Sequence, residues 1–500
     1  MIRTPRTRFA ACLRCGRVDV ARGSWRDGTR GARPLATPAW VFSLLLTSAP
    51  VVLVGAGCTE HTRADAPPVS LGISQPARGA SPAAASAASG GGGVPVHGDP
   101  TLVPGAARRA AHTVVWITGD VLISEGMRRV IEGEAALEGT EADAYTRILA
   151  PVAEWFARDP ESFVFANLES PVATRRNTID RSTWGGERLV AIPLNMPAYV
   201  LEGLRRTGVD GLMLSNNHAL DQGEEGLVET LAAAHEHGFV TSGAGHHPRT
   251  SWPVLIGEEG ARITLVPFYD GHRNGRLEAG TPALADLSEA SIAAFAALRT
   301  NTELLIPVVH VLGEAVDQPK PRWREWARAL AVGGADVIVV HGTHVPLPIE
   351  QLVVGERRVP IIWGLGNFVG DMARQATPRR DYYRGMPKDQ NPMLREGLVV
   401  RVELREGQPM ALRFLPLWMN DDRYVRFWGG FERAPRFRLT PLAACGPPLE
   451  PPADWPGELR EEMMRWIARR RDHLVSHAGL STDGCRPGVA DLLQATALTP

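Results

Sequence analysis

Five short runs in this chain end in residue types that bind metal ions or move protons. Ile117-Thr118-Gly119-Asp120 closes on a carboxylate, and Phe165-Ala166-Asn167-Leu168-Glu169 on an amide and a carboxylate. Leu214-Ser215-Asn216-Asn217-His218 brings two amides and an imidazole, with Asp221 three residues further on. Val308-Val309-His310 is followed by Glu314, and Val339-Val340-His341-Gly342-Thr343-His344 sets two imidazoles three residues apart. Carboxylate, amide and imidazole without thiolate suit a divalent Mn, Fe, Zn or Mg ion, and the types alone do not choose among them. A metal held this way makes water a nucleophile at neutral pH. His218 steered by Asp221 has the composition of a general acid for a departing oxygen. Each feature taken singly has a plainer reading, because an Asp or Asn after a strand is usually a turn or a helix cap. Five such ends together call for one explanation.

All five runs follow β-branched or apolar stretches, which makes them strand ends. Candidate strands are 113–118, 163–166, 211–215, 263–267, 303–310, 335–340, 360–363 and 397–404, and amphipathic stretches at 143–158, 198–207, 223–237, 284–298 and 322–333 read as helices. Such alternation predicts an α/β domain over residues 113–417, long enough for one large core between two facing sheets. In α/β sheets the carboxyl ends of the strands open onto the binding crevice. Asp120, Glu169, His218, His310 and His344 are therefore expected to meet in space.

Composition narrows the classes further. Fifty-four basic against 55 acidic side chains leave a net charge of −1, so no global field points to nucleic acid. Five cysteines in 500 residues exclude a disulfide-dense scaffold and a cysteine-rich zinc protein. Only Lys320 and Lys388 are lysines among the basic residues, which reads as genomic bias toward arginine. Arg175, Arg176, Arg181 and Arg188 follow the second strand and read as a solvated loop, with contact to an acidic polymer as the alternative.

The first 58 residues read as an export signal. Nine arginines between Arg3 and Arg33 precede an uncharged stretch from Ala39 to Gly57, and Cys58 follows at once. Gly55-Ala56-Gly57-Cys58 looks like a lipoprotein-processing site, with Gly55 standing where Leu or Val is usual. Lipidation at Cys58 and an uncleaved anchor are the two expectations, and arginine on the inner side sends the rest of the chain outward in both. Cys12 and Cys15 form an isolated CxxC in this leader, without the second pair of a metal site. Residues 59–112, rich in Ala, Gly, Ser and Pro, read as a disordered tether. Residues 418–500 read as a mostly irregular and helical C-terminal extension, with a helix near 458–477 flanked by Cys445 and Cys485, which could pair.

The runs GDVLIS (119–124), ANLESPV (166–172), LSNNHALDQGEEGLVETL (214–231), GADVIVVHGTHVPLPIE (334–350) and WGLGNFVGD (363–371) resemble the motifs of the CapA-type poly-γ-glutamate capsule biosynthesis family, in the family's order. That family lies within the calcineurin-like metallophosphatase superfamily. The resemblance implies a four-layer α/β/β/α sandwich with a metal site at the sheet edge, in a membrane-attached protein at the extracytoplasmic face. By the same resemblance Asp120, Glu169, Asn217, His310, His341 and His344 are metal ligands for one or two ions. Glu169 takes the place of a bridging carboxylate, and His218 is the proton donor with Asp221. Asn167, Asn216, Glu314 and Asn367 would line the site. Two positions depart from the pattern. Leu122 stands where metallophosphatases carry the His of D-x-H, and Val311-Leu312 replace the usual Trp-Gly after His310. Three functions are compatible with this reading: a capsule-polymer factor, an exported metal-dependent phosphoesterase, or a non-catalytic polymer-binding module. The implied partners are an anionic capsule polymer or its precursor, other membrane proteins of capsule synthesis, and the membrane itself; nucleic acid is not among them.

Overall fold

Alternation along one strand separates two cores. In β2 (His112–Val121), Val115 and Ile117 point into one apolar cluster while Val114 and Trp116 point into another. The neighbouring β3 (Phe163–Leu168) divides likewise, with Phe163 and Phe165 on the first side and Val164, Ala166 and Leu168 on the second. The computed structural model describes residues 101–102, 112–173, 194–246, 253–256, 263–271, 277, 283–378, 384–423, 436–442, 457–483 and 491–498. Cys12, Cys15, Cys58 and the leader, nearly all of the expected tether, Arg175, Arg176, Arg181, Arg188, Cys445 and Cys485 lie outside them.

One sheet runs in the order β17 (Phe437–Pro441), β16 (Ala411–Asp421), β15 (Glu396–Arg405), β2, β3, β4 (Gly211–Met213) and β5 (Val240–Ser242), and β14 (Asn367–Val369) pairs in parallel with β2. From β2 to β5 the strands are parallel, so their carboxyl ends share one edge. The other sheet runs β1 (Thr101–Leu102), β7 (Val254–Ile256), β8 (Ile263–Asp270), β10 (Leu304–Val311), β11 (Ile338–His341), β13 (Arg357–Ile362) and β12 (Ile349–Val354). Here β8, β10, β11 and β13 are parallel. Two short pairs, β6 (Ala244–Gly245) with β9 (Ala283–Leu284) and β18 (Leu480–Ser481) with β19 (Gln494–Ala495), complete the strands described.

Helices cover both outer faces. Against the first sheet pack α1 (Glu125–Ala135), α2 (Glu141–Phe156), α3 (Tyr199–Arg206) and α4 (Gly223–Glu236), through residues such as Met127, Ile148, Leu204 and Leu231. Against the second pack α5 (Glu289–Ala297) and α6 (Pro321–Val332), through Phe295, Trp323 and Leu330. The facing sheets share the remaining core, and the result is the expected four-layer α/β/β/α sandwich. Start signals are local: Ser124 caps α1 by accepting from Gly126 N–H and Met127 N–H, Thr140 and Asp143 form a capping box on α2, and Pro321 opens α6.

Three boundaries differ from the sequence reading. Thr101–Leu102 pair with Val254–Leu255, so the expected tether of residues 59–112 contains a short strand, and His112 already belongs to β2. The expected domain end at Leu417 falls inside β16, and β17 extends the same sheet to Pro441. Helix α7 (Gly457–Ala478) buries Met463, Trp466 and Leu474 in the core, with Trp466 packed edge-on against Trp418 at 5.0 Å between centroids. Within the expected extension, β17 and α7 are therefore part of the sandwich. Among the described residues no helix is long and apolar enough to cross a membrane.

Candidate metal centre

The carboxyl ends of β2, β3 and β10 bring Asp120, Glu169 and His310 together. One potential ligand atom from each lies within 4.8 Å of the others, and all three residues are buried. A register shift between Ile117 and Asp120 re-aims the end of β2, as bulges beside sites often do. Gly119 lets the backbone at Gly366 come close enough to accept from the Asp120 N–H, because a Cβ there would stand 2.0 Å from Gly366 O. His344 adds a fourth group: Nδ1 lies 3.5 Å from Asp120 Oδ2, and Nε2 lies 3.5 Å from Glu169 Oε1.

Amides and backbone hold these groups in place. Asn167 Nδ2 donates to Asp120 Oδ1 at 2.8 Å, and the Gly342 N–H donates to Asp120 Oδ2 at 3.0 Å. His310 lies between two amides, with Nδ1 3.1 Å from Asn167 Nδ2 and Nε2 2.8 Å from Asn217 Oδ1. Asn216 acts through the frame: its Nδ2 donates to Leu168 O at 2.9 Å and its Oδ1 accepts from the His218 N–H at 3.1 Å. Asn367 Oδ1 meets His344 Nδ1 at 2.9 Å while its Nδ2 donates to Leu394 O at 3.0 Å. His344 has φ +55, a left-handed conformation rare outside glycine, and the neighbouring Gly342 at φ +82 would clash with Val311 O if it carried a Cβ.

The electrostatics call for a cation. Both oxygens of Glu169 are buried without a hydrogen-bond partner, and burial pushes this carboxyl above its ordinary value despite the nearby His344 and His218. A buried carboxylate without hydrogen bonds is costly unless it meets positive charge. Burial alone would lower His344, but Glu169 and Asp120 hold it above its usual value. Burial lowers His341 to about 4, which keeps it neutral, and its Nε2 has no hydrogen-bond partner. The carboxylates of Asp120 and Glu169 with the imidazoles of His310 and His344 form a donor set that fits a divalent ion, and these four are the groups that converge.

The other expected site residues take different places. His341 neighbours His310 across β10 and β11 and lies outside the tight group of three. Asn217 reaches the centre through His310. His218 Nδ1 bonds Asp221 Oδ2 at 2.6 Å, which leaves Nε2 to face a ligand. Burial opposes its protonation, yet the Asp221 bond holds its pKa above the usual value. Asp221 Oδ2 is itself fixed by the Leu194 N–H at 2.6 Å. Glu314 sits on the loop after β10, paired with Lys388. Lys388 and the backbone of Gly342 escaped the sequence reading. The signal for Lys388 was its rarity, which read as compositional bias; a backbone N–H leaves no signal at all.

A family described as bacterial capsule synthesis protein PGA_cap matches residues 114–372. The PGA biosynthesis protein CapA of Bacillus subtilis is 26% identical over 258 residues, which are 51% of this chain and 62% of that protein. The capsule biosynthesis protein CapA of Bacillus anthracis is 26% identical over 229 residues, 44% of this chain and 53% of its own length. The chain thus spans less than two thirds of these curated relatives. A solved structure described as a novel phosphatase of Mycoplasma pneumoniae aligns with 63% of this chain and 97% of its own at 12% identity and a TM-score of 0.35, too slight a likeness to bear on function. The matched segment runs from β2 to just past β14 and carries every strand-end residue of the centre. This chain belongs to the bacterial capsule synthesis protein family PGA_cap.

Proposed function

We propose that this protein works at the extracytoplasmic face of a cell membrane, held there by Cys58 lipidation or an uncleaved anchor, in the synthesis or export of a poly-γ-glutamate-type capsule polymer. Membership of the family supports the capsule part of this reading, and the convergence of Asp120, Glu169, His310 and His344, with Glu169 oxygens that accept no hydrogen bond, is the observation that carries an active centre rather than a passive fold. A divalent ion bound there supplies Lewis acidity toward an anionic oxygen. The chain's own residues do the rest. Asn167 and the Gly342 N–H fix Asp120, Asn217 orients His310, and Asn367 orients His344. His218 holds a proton at Nε2 while Asp221 fixes its ring, the arrangement of a general acid.

That dyad favours a second reading, an exported metal-dependent phosphoesterase, over a binding module, which has no use for a buried His–Asp pair. Surface polymer in a deletion strain complemented with this chain, set beside turnover of a phosphodiester by the purified protein, separates the two. The polymer reading expects restored polymer, with failure in Asp120→Ala. Rapid phosphodiester turnover without polymer rescue would replace it with the phosphoesterase. His218→Asn should keep its metal and cost about 10²–10⁴-fold in rate, most for poor leaving groups. Metal loss in that variant would make His218 a ligand instead.

A further inference from the structure

Both lysines of the chain reach the loop that follows β10. Lys320 Nζ donates to Leu312 O at 3.0 Å, and Lys388 pairs with Glu314. This loop borders the metal centre. Glu314 comes four residues after His310, and the next residue, Ala315 at φ +54, donates its N–H to Thr343 O at 2.9 Å, beside His344. Lys388 begins a short turn, Lys388–Gln390, six residues before the Leu394 carbonyl that holds Asn367. Burial opposes the charged form of Glu314, but His344 and the Lys388 ammonium keep its carboxyl below the usual range.

The cations stand outside the acids. The Lys388 side chain is 57% exposed and that of Glu314 29%. Four residues earlier Arg384, 91% exposed, pairs at 3.4 Å with Asp317, 29% exposed. Both cations come from one segment and both acids from the facing one. Asp120, Glu169 and Glu314 would by themselves repel an acidic ligand, so positive charge at the rim is what lets one approach. An ammonium suits this position. It is a compact charge without a fixed fork, free to pass from Glu314 to an incoming carboxylate, whereas an arginine–carboxylate pair is commonly held at two points.

We propose that Lys388, with Arg384 beside it, recognises a chain of repeated carboxylates: one carboxylate takes the Lys388 ammonium from Glu314 while a neighbouring unit of the chain lies at the metal centre. The inference rests on the capsule-polymer reading. Two rim cations, each balanced by its own acid, match a ligand whose charges recur along its length better than a single phosphate.

The test uses the full chain with its metal and fluorescent poly-γ-glutamate oligomers, followed by anisotropy. Lys388→Ala should weaken binding about tenfold, the scale of one charge-assisted contact, and Lys388→Glu further. Lys388→Arg should bind more weakly than wild type, because the guanidinium stays on Glu314, yet more tightly than Lys388→Ala, and adding Glu314→Gln to Lys388→Ala should recover part of the loss by removing the unmasked carboxylate. Salt should weaken wild-type binding more steeply than binding by Lys388→Ala. Metal content and melting temperature should stay at wild-type values in the Lys388 variants. Oligomer binding as tight in Lys388→Glu as in wild type overturns the inference and leaves the capsule reading standing. Lys388-dependent binding of inorganic phosphate, with none of the oligomer, overturns both.

Discussion

At the scale of single residues, the centre depends on side chains that never touch the ligand. His344 sits at φ +55, a conformation that costs a non-glycine residue on the order of 1–3 kcal/mol, and Asn367 is the group that fixes its ring. Asn367→Ala should therefore lower metal affinity by about 10–100-fold, as loss of an orienting partner typically does. Titration with Mn²⁺, read by the melting temperature, checks this, and unchanged affinity would show that His344 holds its place without help. Sequence made most of the centre legible at this scale. Asp120, Glu169 and His310 each end an apolar run, and strand ends in an α/β sheet converge. The roles within Asn216-Asn217-His218 were less legible, because one amide braces the backbone, the next meets His310, and the imidazole turns to Asp221. Spacing alone does not distinguish those directions.

At the scale of elements, the sequence reading held for long, strongly apolar strands and failed where packing decides. Helix α1 has only Met127, Ile131 and Ala135 buried in a run crowded with Glu and Arg, so its stripe is too thin to stand out. Edge strand β12 is only partly buried beyond Ile349, and β17 is five residues long, so neither gives a long apolar run. Helix α7 reads as charged, yet its arginines are part of the attachment. Arg470, 6% exposed, donates to the fully buried Glu396 through Nε at 2.6 Å, and the Arg395 guanidinium lies 5.8 Å from the Trp466 ring. Arg470→Met keeps the volume but strands Glu396, and breaking a buried pair from one side costs about 3–5 kcal/mol. Chemical denaturation should show that loss as a lower midpoint of unfolding. A loss under about 1 kcal/mol would mean that water reaches Glu396.

At the scale of the whole molecule, charge and metal set the conditions under which the sandwich holds. Burial opposes the charge of Glu403, but bonds from Arg401 and Arg405, with His112 reaching across from β2, bring its pKa down to about 2. A carboxyl depressed in the folded state stabilises fully above its unfolded value near 4.5, and that contribution fades as pH falls toward 2. Melting temperatures of wild type and Glu403→Gln should thus differ at neutral pH and draw together through that window. A constant difference would place the effect in packing. The metal bears on the central claim, that the strand ends form a centre built for a divalent ion. An ion bound only by the folded state raises its stability by mass action. The most direct measurement is elemental analysis of the full chain, purified without chelator, beside its melting temperature with and without added Mn²⁺. At least one ion per chain should be present in wild type and missing from the Asp120→Ala, His344→Ala double variant, with a matching loss of Mn²⁺-dependent stabilisation. Wild-type protein free of metal that melts at the same temperature with and without Mn²⁺ would contradict it.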